Sequence, residues 1–486
     1  MAHPWSFPIA ADGRSLHAAL RLRTVTADMN LRFQVICFVA LLFAVLAPCA
    51  HSLEASAQPP SEQEYWAQIE RKEWDQAILT AEKLVEAARM RANQAPFELA
   101  EALTLLGAAH FAKNNWVSAQ AAYSEALQIL EPRLVGSQER LIEPLRGMGY
   151  SLAQAGKHAE AIEYMERALL VSRRTHGLFN LEQQGLLRQL ANSLGSVGRY
   201  VEAEQQMHYL VRIGEQAYGK RDPRMADIYD TVGDFYLQFR HVGAARASYR
   251  KALAVVENKF GRHDLATVPP LRALANSYRR ELYLSQFGIR VPVERRPGLE
   301  PDVQTTPRTL NPRYLSDEGE RALKRALRTL EAHPTRSKSL LFDTLLDMGD
   351  WYMIKSETNK AIDYYRRAAE LLNDFDNESG VAARAKLSFP VQLYYPVPSA
   401  ATRNLQRAPE EVEERFVHVS FTVTSEGSVK EPRLVEANAP ERYIEDTLNA
   451  VRSARYRPKF SNGEPVTTYD VGLRQIFKVR KDQDSE

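Results

Sequence analysis

A fixed step of 42 residues constrains this chain more than any other feature of it. Counting from Gly107, the step lands on Gly149, Ala191, Gly233 and Ala275, and one step back lies Tyr65. Twelve residues after successive anchors stand Ala77, Ala119, Ala161, Ala203 and Ala245. Sixteen after stand Tyr123, Met165, Met207 and Tyr249, with the smaller Ala81 in the first unit. Nineteen after stand Leu84, Ala126, Ala168, Leu210 and Ala252. The row has a packing logic: a small residue in one helix lets the next cross closely, and a large apolar side chain fills the space that remains. A period of this length marks stacked two-helix modules, none of which can bury its apolar face alone.

The punctuation repeats in the same register. Gly177, Gly219 and Gly261 stand where helices end, and Asn180, Asp222 and Asp264 where the next ones begin. Gly349, Ala361, Tyr365 and Ala368 repeat the internal spacing 74 residues after Ala275, which is one step plus 32. Removing a 32-residue insertion restores the phase, with Gly319, Leu323 and Ala326 on the second helix of the interrupted unit. The insertion, about 282–315, is visible in its prolines at 292, 297, 301, 307 and 312 and in its lack of a helical period. Seven units then fill about 58–383.

Ahead of them, Val35 to Ala47 read VICFVALLFAVLA after Arg32. Thirteen helical residues span roughly 20 Å against about 30 Å of bilayer hydrocarbon, the length of a signal-peptide apolar region. Ala55-Ser56-Ala57 is an A-x-A site that would leave Gln58 first, so 1–57 reads as a leader. The alternative is an uncleaved anchor over Phe33–Cys49. Residues 1–28 fit no targeting pattern, whereas MNLRFQ from Met29 is short and basic, which points to a start at Met29. Cys37 and Cys49 are the only two cysteines and both lie in this leader. Without it the chain has no thiol, which excludes disulfides, Cys-ligated metals and a Cys nucleophile together. Sixty-three Lys+Arg against sixty-one Asp+Glu give a net charge of +2 and no basic field for nucleic acid.

After about Val381 the period changes. Val417, Val419, Phe421 and Val423 alternate with polar residues, as in a strand with one buried face. Ser425-Glu426-Gly427 turns it, and Val429–Val435 can return. Ile444, Leu448 and Val451 mark a helix with one apolar face. Ser461-Asn462-Gly463 is a turn, and Tyr469, Val471 and Leu473 alternate in a last strand, with Phe477 on the same parity. Residues 384–480 thus read as a small α+β domain, with a tail at 481–486. Glu410–Arg415 reads as solvated surface.

The repeats, for instance MGYSLAQAGKHAEAIEYMERAL at 148–169 and VGDFYLQFRHVGAARASYRKAL at 232–253, resemble tetratricopeptide repeats. Their length and the segments YGKRDP and FGRHDL resemble the longer, kinesin-light-chain type. The C-terminal region resembles the C-terminal domain of TonB in YPVPSAA at 395–401, VHVSFTVTSEGSV at 417–429, LNAVRSARYRPKF at 448–460 and GEPV at 463–466. Two departures stand out. Glu413-Glu414-Arg415-Phe416 replaces the usual Gly turn, and no long Pro/Lys-rich spacer follows the leader. The expected fold is therefore mainly α, a solenoid of about seven helical hairpins followed by a TonB-C-like domain. The first resemblance implies peptide or protein binding on a concave face. The second implies a periplasmic domain that captures a short peptide from an outer-membrane transporter by strand addition at a sheet edge.

On the family's geometry, residues three before and one after each anchor are i, i+4 neighbours on that face: Arg146/Tyr150, Arg188/Asn192, Asp230/Asp234, Arg272/Asn276 and Leu346/Asp350. Arg and Asn there suit a peptide carboxylate or backbone, with solvated or self-paired charge as the alternative. The expected capture edge is the strand of Tyr469, Val471 and Leu473, unless those side chains merely face the core. His263-Asp264 recurs as Arg221-Asp222 and reads as a cap. The other histidines lack metal-ligand spacing, and no nucleotide or hydrolase motif stands in a fitting context. The expectation is a non-enzymatic periplasmic adaptor of the TonB type, with no cofactor, no nucleic acid, and membrane contact only through a retained leader. A membrane-anchored energy transducer and a passive envelope scaffold are the alternatives. Amino-terminal sequencing of the protein purified from cells should find Gln58 first; an intact leader in the inner-membrane fraction would favour the transducer.

Overall fold

The computed structural model describes residues 61–133, 138–285, 312–333, 335–375, 377–402 and 412–480. The expected leader, the interior of the Pro-rich insertion and the tail lie outside these residues. The chain divides into two compact units, 1–217 and 218–486.

The first unit contains four helical hairpins: α1 (Glu62–Glu70) with α2 (Trp74–Arg89), α3 (Pro96–Ala112) with α4 (Trp116–Leu130), α5 (Ile142–Gln154) with α6 (His158–His176), and α7 (Gln183–Ser196) with α8 (Tyr200–Tyr218), whose last residue reaches the boundary. The second unit contains three more: α9 (Met225–Gln238) with α10 (Val242–Phe260), α11 (Val268–Ser285) with α12 (Pro312–Ala332), and α13 (Lys338–Ile354) with α14 (Thr358–Glu370). Within each unit, second helices pack on the first helix of the next hairpin.

The 42-residue row is the packing seam. Ala77, Ala119, Ala161, Ala203, Ala245 and Ala361 are all fully buried. The anchor glycines show why they are small. A Cβ on Gly107 would stand 2.7 Å from the Tyr123 ring, on Gly233 2.3 Å from Tyr249, and on Gly349 2.2 Å from Tyr365. On Gly149 it would meet Met165 at 2.6 Å. Gly319 plays the same part between hairpins, taking the Trp351 ring of α13.

The turns inside the six hairpins whose turns are described are equally regular. Lys72, Asn114, Gly156, Gly198 and Arg240, each 42 apart, all have positive φ, as does Ser356. Behind each, a backbone N–H closes back on the first helix: Asn115 N on His110 O at 2.9 Å, Arg199 N on Leu194 O at 2.8 Å, Glu357 N on Tyr352 O at 2.9 Å. This is a left-handed helix stop that satisfies the last carbonyls. Between hairpins, Gly177, Gly219 and Gly261 take φ of 87–93°. Asn180, Asp222 and Asp264 then accept the backbone N–H two residues on, at 2.9, 2.9 and 2.8 Å. The His263-Asp264 pair is thus a turn cap.

The second unit continues through α15 (Asn377–Ala385), β1 (Val391–Tyr394), α16 (Ser399–Thr402), β2 (Val412–Val423), β3 (Val429–Ala437), α17 (Glu441–Ser453), β4 (Arg455–Arg457), β5 (Lys459–Ser461), β6 (Glu464–Val466) and β7 (Thr468–Arg480). An antiparallel sheet runs β3-β2-β7, beside two small pairs, β1-β4 and β5-β6. Val417, Val419, Phe421 and Val423 form its buried face with Ala450, Val451, Tyr456, Phe477 and Val479, while Ile444 and Leu448 pack partly buried at the margin. Of Glu410–Arg415, the first two lie outside the described residues; Val412–Arg415 opens β2, paired with Arg480–Phe477 of β7, with Glu414 exposed. One expectation needs correction. Tyr469 does not share a face with Val471 and Leu473, because a bulge intervenes. Phe421 pairs Val471 and Val423 pairs Thr468, so Tyr469 and Asp470 together face Thr422. Asp470 takes φ of 54°, and Tyr469 turns outward, 72% exposed.

Gly233→Ala should lower stability by about 1–3 kcal/mol, since the methyl overpacks a ring seat. Gly243→Ala, with open space around the new Cβ on α10, should instead gain roughly 0.5–1 kcal/mol. Urea unfolding of both variants reads the two signs.

Candidate functional site

The first helices present a face whose side chains vary while the seam behind them does not. In the first unit, Arg146 and Tyr150 lie on α5 and Arg188 and Asn192 on α7. Burial pushes the Tyr150 hydroxyl up to about 12, with Arg146 and Arg188 both pulling it back down, so two guanidinium groups bear on one phenol. Phe111 lies beside the Tyr150 ring, 6.4 Å between centroids. Arg146 is paired with Glu143 one turn away. Arg188 is exposed and makes no ion pair among the described residues. The structure thus brings Arg146, Tyr150 and Arg188 together as a cationic rim around a phenol, with Asn192 one turn beyond Arg188 on α7, a surface suited to a carboxylate or a peptide carbonyl.

The second unit handles the same positions differently. Charges on its first helices alternate by hairpin: Asp227, Asp230 and Asp234 on α9, Arg272 and Arg279 with Asn276 on α11, then Asp343, Asp347 and Asp350 on α13. Arg272 is not free for a ligand. Its Nε donates to Asp347 Oδ2 at 2.6 Å and its Nη1 lies 3.9 Å from Asp343, which also takes Lys386 Nζ at 2.6 Å. Asn276 Oδ1 accepts from Arg279 at 3.0 Å, and Arg279 reaches Asp350 at 3.1 Å. Of the three anticipated pairs of binding residues, Arg272/Asn276 is occupied by the protein's own carboxylates and guanidinium and Arg146 pairs with Glu143, whereas Arg188 makes no ion pair among the described residues.

Sequence reading did not single out Arg279, Asp343, Asp347 or Arg457. A signal existed: acids at 343, 347 and 350 share one helical face and require counter-charges. Asp350 meets this need most fully. Burial pushes its carboxyl up most strongly, but the Arg457 guanidinium, Arg279 and the Tyr365 hydroxyl together outweigh burial and hold it below the ordinary carboxylate range. On α9, Asp230 differs. Asp230 Oδ1 is buried with no hydrogen-bond partner among the described residues. Burial, then Asp234, then Asp227 push its carboxyl up to about 8. Asp234 accepts the Tyr249 hydroxyl at 2.7 Å.

In the C-terminal lobe the sheet has two edges. On the β3 edge, Glu431 takes φ of 51° and Pro432 lacks an N–H, beside register shifts against β2; such features blunt an edge against further pairing. The other edge is β7, 13 residues long and without proline. Val471 and Leu473 pack on the core while Tyr469 faces outward. The Asp470 bulge is held by Arg433 of β3 and by Ser420 Oγ at 3.4 Å. Arg474 lies over the Phe416 ring at 3.7 Å. Among the described residues no cluster of three or more His, Cys, Asp or Glu could hold a metal ion, and no helix is long and apolar enough to cross a membrane.

Residues 406–472 match the family described as Gram-negative bacterial TonB protein C-terminal, and residues 145–182 match the tetratricopeptide repeat family. Among solved structures, BtubC from P. vanneervenii is similar at 18% identity, over 54% of this chain and 96% of that one, with a TM-score of 0.37. The C-terminal part of a repeat-containing protein from Cytophaga hutchinsonii is 14% identical over 66% and 99%, with a TM-score of 0.35. The apo form of RapI is 12% identical over 66% and 78%, with a TM-score of 0.42. No curated protein matches the chain.

Because the folded Asp230 carboxyl keeps its proton up to about pH 8, against an ordinary value of 3.8, its contribution to stability falls as pH rises between those values. Asp230→Asn removes that fall. Its gain in urea midpoint over the parent should grow from pH 5 to pH 8; a gain that is flat or shrinks would contradict the burial of this carboxylate.

Proposed function

We propose that this chain, a tetratricopeptide-repeat protein with a TonB C-terminal-like domain, is a non-enzymatic binding adaptor of the bacterial envelope, working in the periplasm. Tetratricopeptide hairpins and a TonB C-terminal domain are protein-binding modules. The finer reading is that β7 captures an extended segment of an outer-membrane transporter or another envelope protein by main-chain pairing. One observation carries it: the sheet has one blunted edge and one long edge free of proline, and the long one is β7. Strand addition draws affinity from backbone groups and specificity from alternate side chains, which here are the outward Tyr469 and Arg474 on one side and the core-directed Val471 and Leu473 on the other. The rim of Arg146, Tyr150, Arg188 and Asn192 supplies a second contact, for a carboxylate or carbonyl of a partner. Two weak contacts on one chain raise avidity without any new chemistry.

A leader removed at Ala57 leaves a chain without cysteine, so single introduced cysteines report contacts cleanly. Cysteines at Gly472 and Arg474 on β7 should cross-link an outer-membrane transporter in intact cells, identified by mass spectrometry. Cysteines at Lys430 and Arg433 on β3 should not. Cross-links from β3 alone would overturn the assignment of the capture edge.

A further inference from the structure

Asp350 stands one residue after the Gly349 anchor of the seventh hairpin, the position held by Tyr150 and Asn192 in the open part of the first-helix face. Here the position is already filled. Arg457, from β4 of the C-terminal lobe, donates Nε to Asp350 Oδ1 at 2.9 Å and Nη2 to Oδ2 at 2.7 Å. Its Nη1 donates to Lys386 O at 3.1 Å. Tyr365 gives its hydroxyl to the same carboxylate at 2.9 Å and Arg279 reaches it at 3.1 Å. Asp350 is only 3% exposed and Arg457 9%. Around this fork, Phe460 meets the Tyr365 ring edge-on at 6.0 Å, Phe460 N donates to Leu387 O at 2.8 Å, and Arg366 pairs with Glu464 at 2.9 Å.

We infer that the C-terminal lobe is a resident ligand of the seventh hairpin: Arg457 occupies an arginine-binding site centred on Asp350 and closes this stretch of the face to outside peptides. A buried ion pair adds little net stability over apolar packing, and its best-attested use is to fix one arrangement against others. The arrangement fixed here is one in which a binding surface of the repeats is filled by the chain's own segment Arg455–Ser461. The site is specific for a guanidinium, because two parallel N–H donors meet both carboxylate oxygens. An arginine-bearing extended segment of a partner can take it only by lifting the lobe. This holds whether or not β7 captures a partner.

The test uses the full chain and a labelled, end-blocked peptide of residues 454–461, ARYRPKFS. Arg457→Met, whose stem fills part of the vacated space, should bind the peptide at least tenfold more tightly than the parent. The further change Asp350→Asn in that variant should abolish the gain. Equal binding to parent and variant, or binding to neither, would overturn the inference. Hydrogen exchange on the unaltered chain gives a reading independent of the variant's folding: amides of 455–461 should open together with those of 343–354. Earlier, separate opening of 455–461 would show that the lobe is not held at this site.

Discussion

Four of the seven hairpins rest on one contact, a ring or thioether seated where the opposing helix has no side chain. Tyr123 on Gly107, Met165 on Gly149, Tyr249 on Gly233 and Tyr365 on Gly349 all repeat it. The contact sets the distance between the two helices, and that distance forces the neighbouring rows to be alanine. Interiors packed to crystal-like density leave no slack to absorb a methyl group at such a seat. The second constraint is the stop between the helices. A left-handed residue in the turn of six hairpins reverses the chain and pairs the last carbonyls, even where the residue is Lys72 or Arg240 rather than glycine.

With hairpin packing set at that seam, the side chains beside the anchors of the first helices differ from hairpin to hairpin. In the second unit they alternate in sign from hairpin to hairpin, and the last acidic row is neutralised from the C-terminal lobe by Lys386 and Arg457. The lobe lies within the second compact unit, bonded to the seventh hairpin at these carboxylates. Asp230 shows the opposite outcome: a carboxylate buried without a counter-charge keeps its proton instead.

The two edges of the lobe's sheet differ in their local backbone chemistry. Pro432 and the positive φ of Glu431 interrupt one edge. On the other, the bulge at Asp470 reverses which way Tyr469 points while leaving the rest of β7 in register. One extra residue in a strand moves every side chain before it to the other face, so a single bulge decides whether an aromatic ring is core or surface.

Most of the fold was legible in the order of residues, because hairpin packing depends on contacts at fixed short separations: anchor to ring is 16 residues, turn to turn 42. The caps at Asn180, Asp222 and Asp264, the buried face of β2 and the turn at Asn462-Gly463 were readable for the same reason. The candidate site was legible only in part. Arg146, Tyr150, Arg188 and Asn192 follow from the repeat register, since i, i+4 neighbours on a helix must share a face. Periodicity has no means of showing that Arg272 is consumed by Asp347, 75 positions away, or that Arg457 crosses 107 positions to Asp350. Nor does alternation reveal the bulge that turns Tyr469 outward. Local spacing determines which helices form and which faces they bury. Which charges meet, and which edge stays open, depends on where distant segments arrive, and only the tertiary structure decides that.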